Sequence, residues 1–166
     1  MFIAHLPAGY LLTTFLQRKL QTTAYLWIGL VASVIPDLDM LYFYLIDDRQ
    51  TLHHHYWTHL PLFWTALWII TIFIGHAFKR RNIFVITTII YCNLILHFVL
   101  DSFVGGINWL YPFIDHDLFL ITVPATREFW VWSFMFHWSF LVEITILLLL
   151  AILLFFNNRK LHHAKA

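Results

Sequence analysis

The chain has 166 residues, of which 61% are hydrophobic, 19% aromatic and only 11% charged. Ordinary soluble domains are about 45–50% apolar and about 25% charged, so this composition excludes a soluble enzyme and a disordered protein. The formal net charge of +1 excludes a nucleic-acid-binding protein, which needs many cations to neutralise phosphates. We therefore expect one integral membrane domain over 1–166. Its 11 histidines outnumber the 9 acidic residues and indicate a use for imidazole.

The apolar runs predict an all-α, polytopic membrane bundle of about five helices. A spanning helix needs about 20 mostly apolar residues, and charged residues separate the runs. The predicted helices are residues 3–16, 23–46, 60–78, 83–101 and 129–156, with an interruption of the second run at Pro36. The first run is short, and a half-inserted or interfacial helix is the alternative there, because 14 residues rise only about 21 Å.

Basic residues predict the orientation of this bundle. They follow the first helix, join the third helix to the fourth, and form the tail: Arg18, Lys19, Lys79, Arg80, Arg81, Arg159, Lys160 and Lys165. In a five-helix chain these groups lie on one side, which the positive-inside rule makes cytoplasmic. The N-terminus and two loops, 47–59 and 102–128, are then expected on the outer side, with the C-terminus in the cytoplasm.

This orientation brings distant ionisable residues to one level at the outer ends of the helices. They are His5, Asp37, Asp39, His53, His54, His55, His59, His97 and Asp101. Ionisable groups in or near hydrocarbon are costly, and they usually face a polar interior or a partner. The convergence predicts a shared site.

Two spacings support that prediction. His97 and Asp101 are four residues apart, so they share a helix face and both can bind one ion; the alternative is a helix end with a solvated carboxylate. Asp37 and Asp39 follow Pro36, which disturbs the helix and lets an irregular backbone direct both carboxylates inward. The alternative for this pair is a helix terminus with solvated acids.

The densest histidine cluster is the segment 53–59, which contains four histidines in seven residues. Histidine is the commonest metal ligand among side chains, in its neutral form. Tyr56 and Trp57 indicate the alternative, an interfacial loop with an aromatic belt. We expect metal-binding or acid–base duty from this segment.

Other polar residues leave alternatives open. Glu143 lies inside the last apolar run, where a carboxylate is a functional candidate by default. Asp115, His116 and Asp117 form either a substrate contact or a solvated turn. Whether His137 joins the site is open, and Arg127 is a candidate partner for a phosphate or an acidic lipid head group.

The order of these motifs resembles the YdjM family of bacterial inner-membrane proteins, which are described as metal-dependent hydrolases and in part as LexA-binding. The resemblance runs over roughly 1–115 and is carried by His5, Pro36–Asp39, His54–His59, His97–Asp101 and Gly105–Phe113. Two positions depart from the family pattern. The family usually has His-Arg-Gly before Thr-His-Ser, whereas this chain has His54-His55-Tyr56-Trp57-Thr58-His59-Leu60, and Val104 stands where Thr is frequent. The resemblance implies an inner-membrane location.

More loosely, the order of ligands is similar to that of zinc-dependent phospholipase C and P1 nuclease. Those enzymes hydrolyse phosphoester bonds with a zinc cluster, and they use a later His-x-x-x-Glu pair that this chain lacks. The similarity implies phosphoester chemistry at a smaller site.

Together these features predict a membrane-embedded metal-dependent hydrolase that cleaves a phosphoester bond of a lipid or lipid-linked substrate at the outer face. The predicted metal ligands are His5, Asp37, Asp39, His54, His59, His97 and Asp101. Mixed imidazole and carboxylate ligands suit Zn²⁺, and Mn²⁺ or iron is also compatible. Seven ligands are too many for one tetrahedral zinc, which favours two ions or an orienting role for some residues. Asp39 and His55 are the candidate catalytic groups, as a general base or by orienting a ligand.

Two other functions remain open on the sequence. A di-iron lipid hydroxylase or desaturase also uses membrane histidines, although its histidine boxes usually face the cytoplasm. The second alternative is a non-enzymatic membrane protein in which a bound metal only holds the helices together. The oligomeric state is not indicated by the sequence.

Overall fold

The computed structural model describes residues 3–163, with side chains to residue 156, and its regular elements are helices. The α-helices are α1 (His5–Lys19), α2 (Leu26–Ala32), α3 (Asp39–Leu45), α4 (Pro61–Ala77), α5 (Arg81–Asp101), α6 (Trp130–Met135) and α7 (Phe140–His163). Short 3-10 turns cover Ile35–Leu38, His53–His55 and Trp57–His59. The described residues contain no β-strand, and an isolated antiparallel bridge joins Ile107 to Leu118. The all-α prediction is confirmed.

The segment predicted as one interrupted helix over 23–46 divides into α2, a 3-10 turn and α3. Pro36 lies in the first half of that turn, where its missing N–H and its ring prevent a regular α-helix from continuing. The two helical pieces, Leu26–Ala32 and Pro36–Leu45, are bent by 52°. The bend turns the backbone of Asp37 and Asp39 away from the line of α2.

The prediction of one helix over 129–156 needs correction, because α6 ends at Met135 and α7 begins at Phe140. His137 Nδ1 accepts the backbone N–H of Ser139 at 3.3 Å and lies 2.9 Å from its hydroxyl. Local side-chain bonds of this kind compete with the helical hydrogen-bond ladder. The polar pair therefore satisfies the backbone at the break, and the apolar run does not form one continuous helix.

Helix α5 is the central element, since α1, α2 and α4 all pack against it. Its apolar face buries Leu94 and Phe98 against Ile107 of the loop that follows it. A second apolar cluster joins Leu100 to Ala4 and Ala8 near the start of α1. This packing fixes the last turn of α5, which carries His97 and Asp101.

Small and polar residues let α1 and α2 approach closely. A Cβ atom on Gly29 would lie 2.1 Å from Thr13 Oγ1, so only glycine fits at that position. Thr13 Oγ1 in turn accepts a hydrogen bond from Asn93 of α5 at 3.0 Å. Thr13 and Asn93 are fully buried, and such interhelical bonds are typical of helices packed in membranes.

Among the described residues, α5 is long and apolar enough to cross a membrane by itself. The bent pair of α2 and Pro36–Leu45 passes the same criterion when taken together. Two further apolar helices, Pro61–Ala77 and Phe140–Phe156, are shorter than that criterion requires.

Candidate metal centre

His97 lies in the last turn of α5, and both of its ring nitrogens have defined neighbours. Nδ1 lies 2.9 Å from the carbonyl oxygen of Ser33. Because a carbonyl only accepts hydrogen bonds, Nδ1 carries the proton, and the lone pair of a neutral ring is on Nε2. That Nε2 lies 3.0 Å from Asp101 Oδ2, one turn along the same helix. His97 thus presents its second ring nitrogen to a carboxylate from a buried position.

His59 ends the 3-10 turn before α4 and is oriented by a carboxylate. Its Nδ1 lies 2.7 Å from Asp39 Oδ2, which also accepts the hydroxyl of Thr58 at 2.5 Å. The other ring nitrogen, Nε2, lies 3.4 Å from Nε2 of His97. Histidines that bind metals commonly donate their second nitrogen to a carboxylate or carbonyl, as His59 and His97 both do here.

Asp37 brings a second carboxylate to these two rings from the 3-10 turn that Pro36 begins. Its Oδ1 lies 3.6 Å from His97 Nε2 and 3.8 Å from His59 Nε2. Asp37 is the most accessible member of the group, with 38% of its side chain exposed, whereas His59, His97 and Asp101 are buried. The group therefore has one open side.

The spacing of these four ligand atoms fits a small divalent cation. Distances that involve a histidine nitrogen run from 3.0 to 3.9 Å, and all four atoms lie within 4.8 Å of one another. Four ligands about 2.05 Å from a tetrahedral zinc ion lie about 3.3 Å apart. The donor set of two imidazoles and two carboxylates is one that zinc accepts. We call Asp37, His59, His97 and Asp101 the four-residue centre.

A second group capable of holding metal adjoins the four-residue centre. It consists of His53, His54 and His59, which each offer a ring nitrogen within 4.8 Å of the others. His54 Nε2 lies 3.9 Å from Asp101 Oδ2, and His53 Nδ1 lies 3.6 Å from Asp39 Oδ1. Since His59 belongs to both groups, they form one continuous polar cluster.

His5 contacts this cluster from the first turn of α1. Its Nε2 lies 3.2 Å from Asp101 Oδ1, and its ring centroid lies 4.0 Å from that of His97. The side chain is 3% exposed. His5 thus contacts the carboxylate oxygen opposite the one that faces His97 and His59.

The structure brings all seven predicted metal ligands together, but with different contacts. Four of them form the four-residue centre, and His54 belongs to the adjoining histidine group. Asp39 bonds to His59 Nδ1, and His5 contacts Asp101. Asp39 therefore lies behind the ring of His59 and belongs to neither group with metal-binding spacing among the described residues.

His55, the other candidate catalytic group, points away from the four-residue centre. Its Nε2 lies 2.9 and 3.1 Å from the two carboxylate oxygens of Asp117, and its side chain is 39% exposed. It belongs to neither group with metal-binding spacing among the described residues. The pair joins the histidine turn to the loop that follows α5.

Three further polar residues that remained open on the sequence have partners outside the centre. Glu143 accepts the backbone N–H of Ile3 at 2.5 Å. His137 contacts Ser139, and the guanidinium of Arg127 lies 4.4 Å from the ring centroid of Phe136. None of the three belongs to the groups with metal-binding spacing among the described residues.

Ser33 and Thr58 were not expected to contribute to the site, and His53 was expected only as part of the histidine segment 53–59. Ser33 acts through its backbone carbonyl, which leaves no signal in the residue type. Thr58 precedes His59 and bonds to the same carboxylate, so the Thr-His pair was the available signal. His53 was visible only as one of four neighbouring histidines.

The pKa values of two histidines between α3 and α4 are strongly shifted. Burial, with the nearby His53, lowers the pKa of His54 to about 3, which keeps its ring neutral and available as a ligand. Burial also acts to lower the pKa of His59, but the nearby carboxylates of Asp37 and Asp39 outweigh burial and raise the pKa to about 9. In the metal-free protein a proton on His59 therefore supplies the positive charge that the carboxylates attract.

A cavity of about 760 Å³ opens beside the centre. Asp37, Asp101, His53 and His54 line one part of it. Aromatic and aliphatic side chains line much of the rest, among them Met40, Phe43, Phe129, Trp130 and Phe134. Binding sites for small molecules combine apolar walls with a few convergent polar groups, as this cavity does.

Comparison with known proteins finds the same family that the order of the motifs resembles. The Inner membrane protein YbcI of Escherichia coli (strain K12) is 26% identical over 98 residues, which are 57% of this chain and 57% of that relative. The match thus spans little more than half the length of this relative. No solved structure matches the chain. Residues 1–163 match the profile of the YdjM inner membrane protein family, so the chain belongs to that family and the resemblance is confirmed.

Proposed function

We propose that this protein is a membrane-embedded metal-dependent hydrolase that cleaves a phosphoester bond of a lipid or lipid-linked substrate. The observation that carries the proposal is the geometry of His59 and His97. Their Nε2 atoms lie 3.4 Å apart beside Asp37 and Asp101, while both Nδ1 atoms are occupied by Asp39 and by the Ser33 carbonyl. Two imidazoles oriented from behind in this way are arranged to bind a cation.

Each residue of the centre has a defined task in this proposal. Asp37, His59, His97 and Asp101 hold a divalent ion, for which Zn²⁺ is the first candidate. A bound zinc ion supplies Lewis acidity to a phosphoryl oxygen and lowers the pKa of a water molecule. Asp39 and the Ser33 carbonyl keep the two rings in the required tautomer and orientation. The exposed side of Asp37 leaves an approach for substrate.

The adjoining cavity supports a lipid as the substrate. Its volume of about 760 Å³ is large enough for a lipid segment, and its walls combine aromatic side chains with the carboxylates and histidines of the centre. An amphiphile can place a polar phosphoester at the centre and its hydrocarbon against the apolar wall.

We further propose that the chain crosses the membrane several times, with its N-terminus and the centre outside and its C-terminus in the cytoplasm. Arg81 Nη2 donates to the carbonyl of Leu20 at 2.9 Å, so the basic residues after α1 adjoin those between α4 and α5. The centre lies at the opposite end of α5 from Arg81. The positive-inside rule assigns the basic end to the cytoplasm.

The test is metal analysis of the detergent-purified protein together with hydrolysis assays. Wild type would be compared with His59→Gln, Asp101→Asn and the control His76→Gln, since His76 is an exposed histidine at the far end of α4. We expect wild type and His76→Gln to bind zinc and to release product from a phosphorylated lipid. His59→Gln and Asp101→Asn should lose both. Size-exclusion chromatography and circular dichroism would establish that each variant is folded.

Two results would overturn the proposal. The absence of bound metal after loading with zinc, manganese or iron would remove the metal centre. Bound metal without turnover on glycerophospholipids and isoprenoid phosphates would leave a metal-binding membrane protein that is not this hydrolase.

A further inference from the structure

The cavity beside the four-residue centre contains a charged group that the centre does not use. Its charged lining residues are Asp37, Asp101, Glu128 and Arg49, in addition to His53 and His54. Arg49 is the one lysine or arginine in that lining of described residues. A phosphorylated substrate needs a cation to offset its charge among three carboxylates. Arg49 is the group in the cavity wall that can provide this cation.

A left-handed turn closed by two hydrogen bonds holds Arg49 at the cavity wall. Asp48 and Arg49 have φ values of 47° and 63°, so the chain makes a left-handed turn after α3, and the Arg49 N–H donates to the Phe43 carbonyl at 3.1 Å. The Asp47 carboxylate accepts the N–H of Thr51 at 2.7 Å and closes the turn. Non-glycine residues in this region are strained, and such strain persists where the surroundings impose it.

The guanidinium itself is oriented by an aromatic ring. It lies 5.1 Å from the ring centroid of Tyr44, which also lines the cavity. An arginine held over an aromatic ring still directs its N–H groups, which lie in the plane of the guanidinium, toward an anion. Among the ion pairs of the described residues, none involves Arg49. Its charge is therefore available to a ligand.

Arg127 provides a natural comparison within the same chain. It also stacks on an aromatic ring, with its guanidinium 4.4 Å from the centroid of Phe136. It does not line the cavity, although its neighbour Glu128 does. On the sequence, Arg127 was a candidate partner for a phosphate or an acidic lipid head group, whereas Arg49 is the arginine that lines the cavity.

We propose that Arg49 forms a phosphate-binding subsite in this cavity and selects a phosphorylated ligand over an uncharged ester. The inference rests on the proposed function for the role of the neighbouring centre. A guanidinium can donate two parallel hydrogen bonds to phosphate oxygens, which an ammonium cannot do. The apolar walls at Met40, Phe43 and Phe134 then accept the hydrocarbon of a lipid ligand.

The test is phosphate binding by the purified full-length protein, measured calorimetrically with zinc and again after chelation. The variants are Arg49→Gln, Arg49→Lys and the matched control Arg127→Gln. We expect Arg49→Gln to weaken binding of inorganic phosphate about tenfold or more, as the loss of a charge-assisted bond predicts. Arg49→Lys should fall between wild type and Arg49→Gln, and Arg127→Gln should bind as wild type does.

Three further ligands separate the possible sources of the phosphate. They are glycerol 3-phosphate in solution, phosphatidic acid in detergent micelles, and diacylglycerol in the same micelles as the uncharged control. Tighter binding of phosphatidic acid than of glycerol 3-phosphate supports a lipid phosphate, and equal binding supports a soluble one. In both cases Arg49→Gln must reduce binding. Diacylglycerol binding should be unaffected by the substitution.

The outcomes distinguish this inference from the proposed hydrolase. Equal phosphate affinity in Arg49→Gln and Arg127→Gln, or no phosphate binding by wild type, overturns the subsite whatever the metal content. Loss of phosphate binding in Arg49→Gln with unchanged zinc content supports the subsite, even if no turnover is found. Where turnover is measurable, the substitution should raise KM for the phosphorylated lipid more than it lowers kcat.

Discussion

At the scale of single residues, the centre depends on how each histidine divides its two ring nitrogens. His97 gives Nδ1–H to the Ser33 carbonyl, and His59 pairs Nδ1 with Asp39, so both Nε2 atoms face the same space. Had either ring been free to rotate, the second nitrogen would compete for the same position. We therefore expect the groups behind the rings to contribute to the metal affinity of the centre, in addition to the four ligands.

Replacing Asp39 tests this dependence. Asn in place of Asp39 keeps the size of the side chain but removes the charge that holds His59 Nδ1–H at 2.7 Å. We expect metal affinity to fall about 10–100-fold while the fold is retained, as for other groups that orient metal-binding histidines. Competition with a chromophoric chelator measures the change.

Thr58→Val is the control for that substitution. Thr58 donates to the same carboxylate of Asp39, so its loss leaves the contact between Asp39 and His59 in place. Its effect on affinity should be smaller than that of Asp39→Asn. An Asp39→Asn variant that binds zinc as tightly as wild type would show that His59 needs no orienting carboxylate.

The raised pKa of His59 predicts that rising pH lowers the stability of the metal-free protein and raises its affinity for zinc. In the metal-free form the protonated ring stabilises the fold below its unfolded pKa of 6.5, and this stabilisation is lost as pH rises through about 9. Zinc must displace the proton on Nε2, so metal affinity should increase from pH 6.5 to about 9. His54 adds no proton in this range, because its pKa is about 3.

Thermal unfolding in detergent between pH 6.5 and 9 checks this prediction. The difference in Tm between zinc-loaded and chelated protein should widen as pH rises. Calorimetry in two buffers of different ionisation enthalpy should show release of about one proton per zinc ion near pH 7.5, the proton displaced from His59. A Tm difference that narrows with pH would contradict the assignment of the proton to His59.

The sequence was sufficient to predict which side chains converge, because residue type and spacing carry that information. His97 and Asp101 share a helix face, and the other candidate ligands come from the starts of α1 and α3 and from the turns before α3 and α4. The sequence could not predict the partner of His97 Nδ1, since a backbone carbonyl is present at every residue. It also could not separate Arg49 from Arg127, because only the left-handed turn after α3 places Arg49 at the cavity.

At the scale of elements, two of the residues in the four-residue centre lie in short 3-10 turns. Asp37 lies in the turn Ile35–Leu38 and His59 in the turn Trp57–His59, whereas His97 and Asp101 come from the long helix α5. Hydrophobic runs predict where helices lie, and α4 and α5 correspond closely to the runs 60–78 and 83–101. A break inside an apolar run leaves a weaker signal, so the interruption between α6 and α7 was not predicted.

Gly29 makes the close approach of α1 and α2 possible, and Ser33, whose carbonyl contacts His97, directly follows α2. Alanine at Gly29 would place Cβ 2.1 Å from Thr13 Oγ1 and 2.9 Å from Thr13 Cβ, so the helices must separate. We expect the free energy of unfolding to fall by about 1–3 kcal/mol, the usual effect of overpacking. Thermal unfolding of the purified variant measures the loss.

Gly75→Ala in α4 is the matched control for this substitution. A Cβ there would lie 3.2 Å from Ile83 Cγ2, the end of a side chain that can move by a few tenths of an ångström. Its loss of stability should be clearly smaller than that of Gly29→Ala. Equal losses in the two variants would mean that the contact with Thr13 does not control how α1 packs on α2.

At the scale of the whole molecule, the basic residues and the four-residue centre lie at opposite ends of α5. Arg81 begins the helix and donates to the carbonyl of Leu20, while Asp101 ends it within the four-residue centre. Large apolar side chains such as Trp27, Phe73 and Leu148 are exposed between these ends. Exposed apolar surface of this extent is costly in water, and in an inner-membrane protein it is covered by lipid.

This separation predicts which loops can be labelled from each side of the membrane. Gln50 lies in the loop between α3 and α4, near the centre, and Asn82 lies in the first turn of α5 beside the basic residues; both are exposed. Single cysteines at these positions, in a Cys92→Ser background, report the two ends of the bundle. We expect a membrane-impermeant maleimide to label Gln50→Cys in right-side-out vesicles and Asn82→Cys only in inside-out vesicles.

The result decides where the proposed substrate must be presented. Labelling in the predicted pattern leaves the centre open to lipids of the outer leaflet, because the basic end is held in the cytoplasm. The reverse pattern would place the centre at the cytoplasmic side and require a substrate of the inner leaflet. Metal binding does not depend on the orientation, since the ligand distances are internal to the bundle. Orientation and metal content are thus separate tests, and each constrains a different part of the proposal.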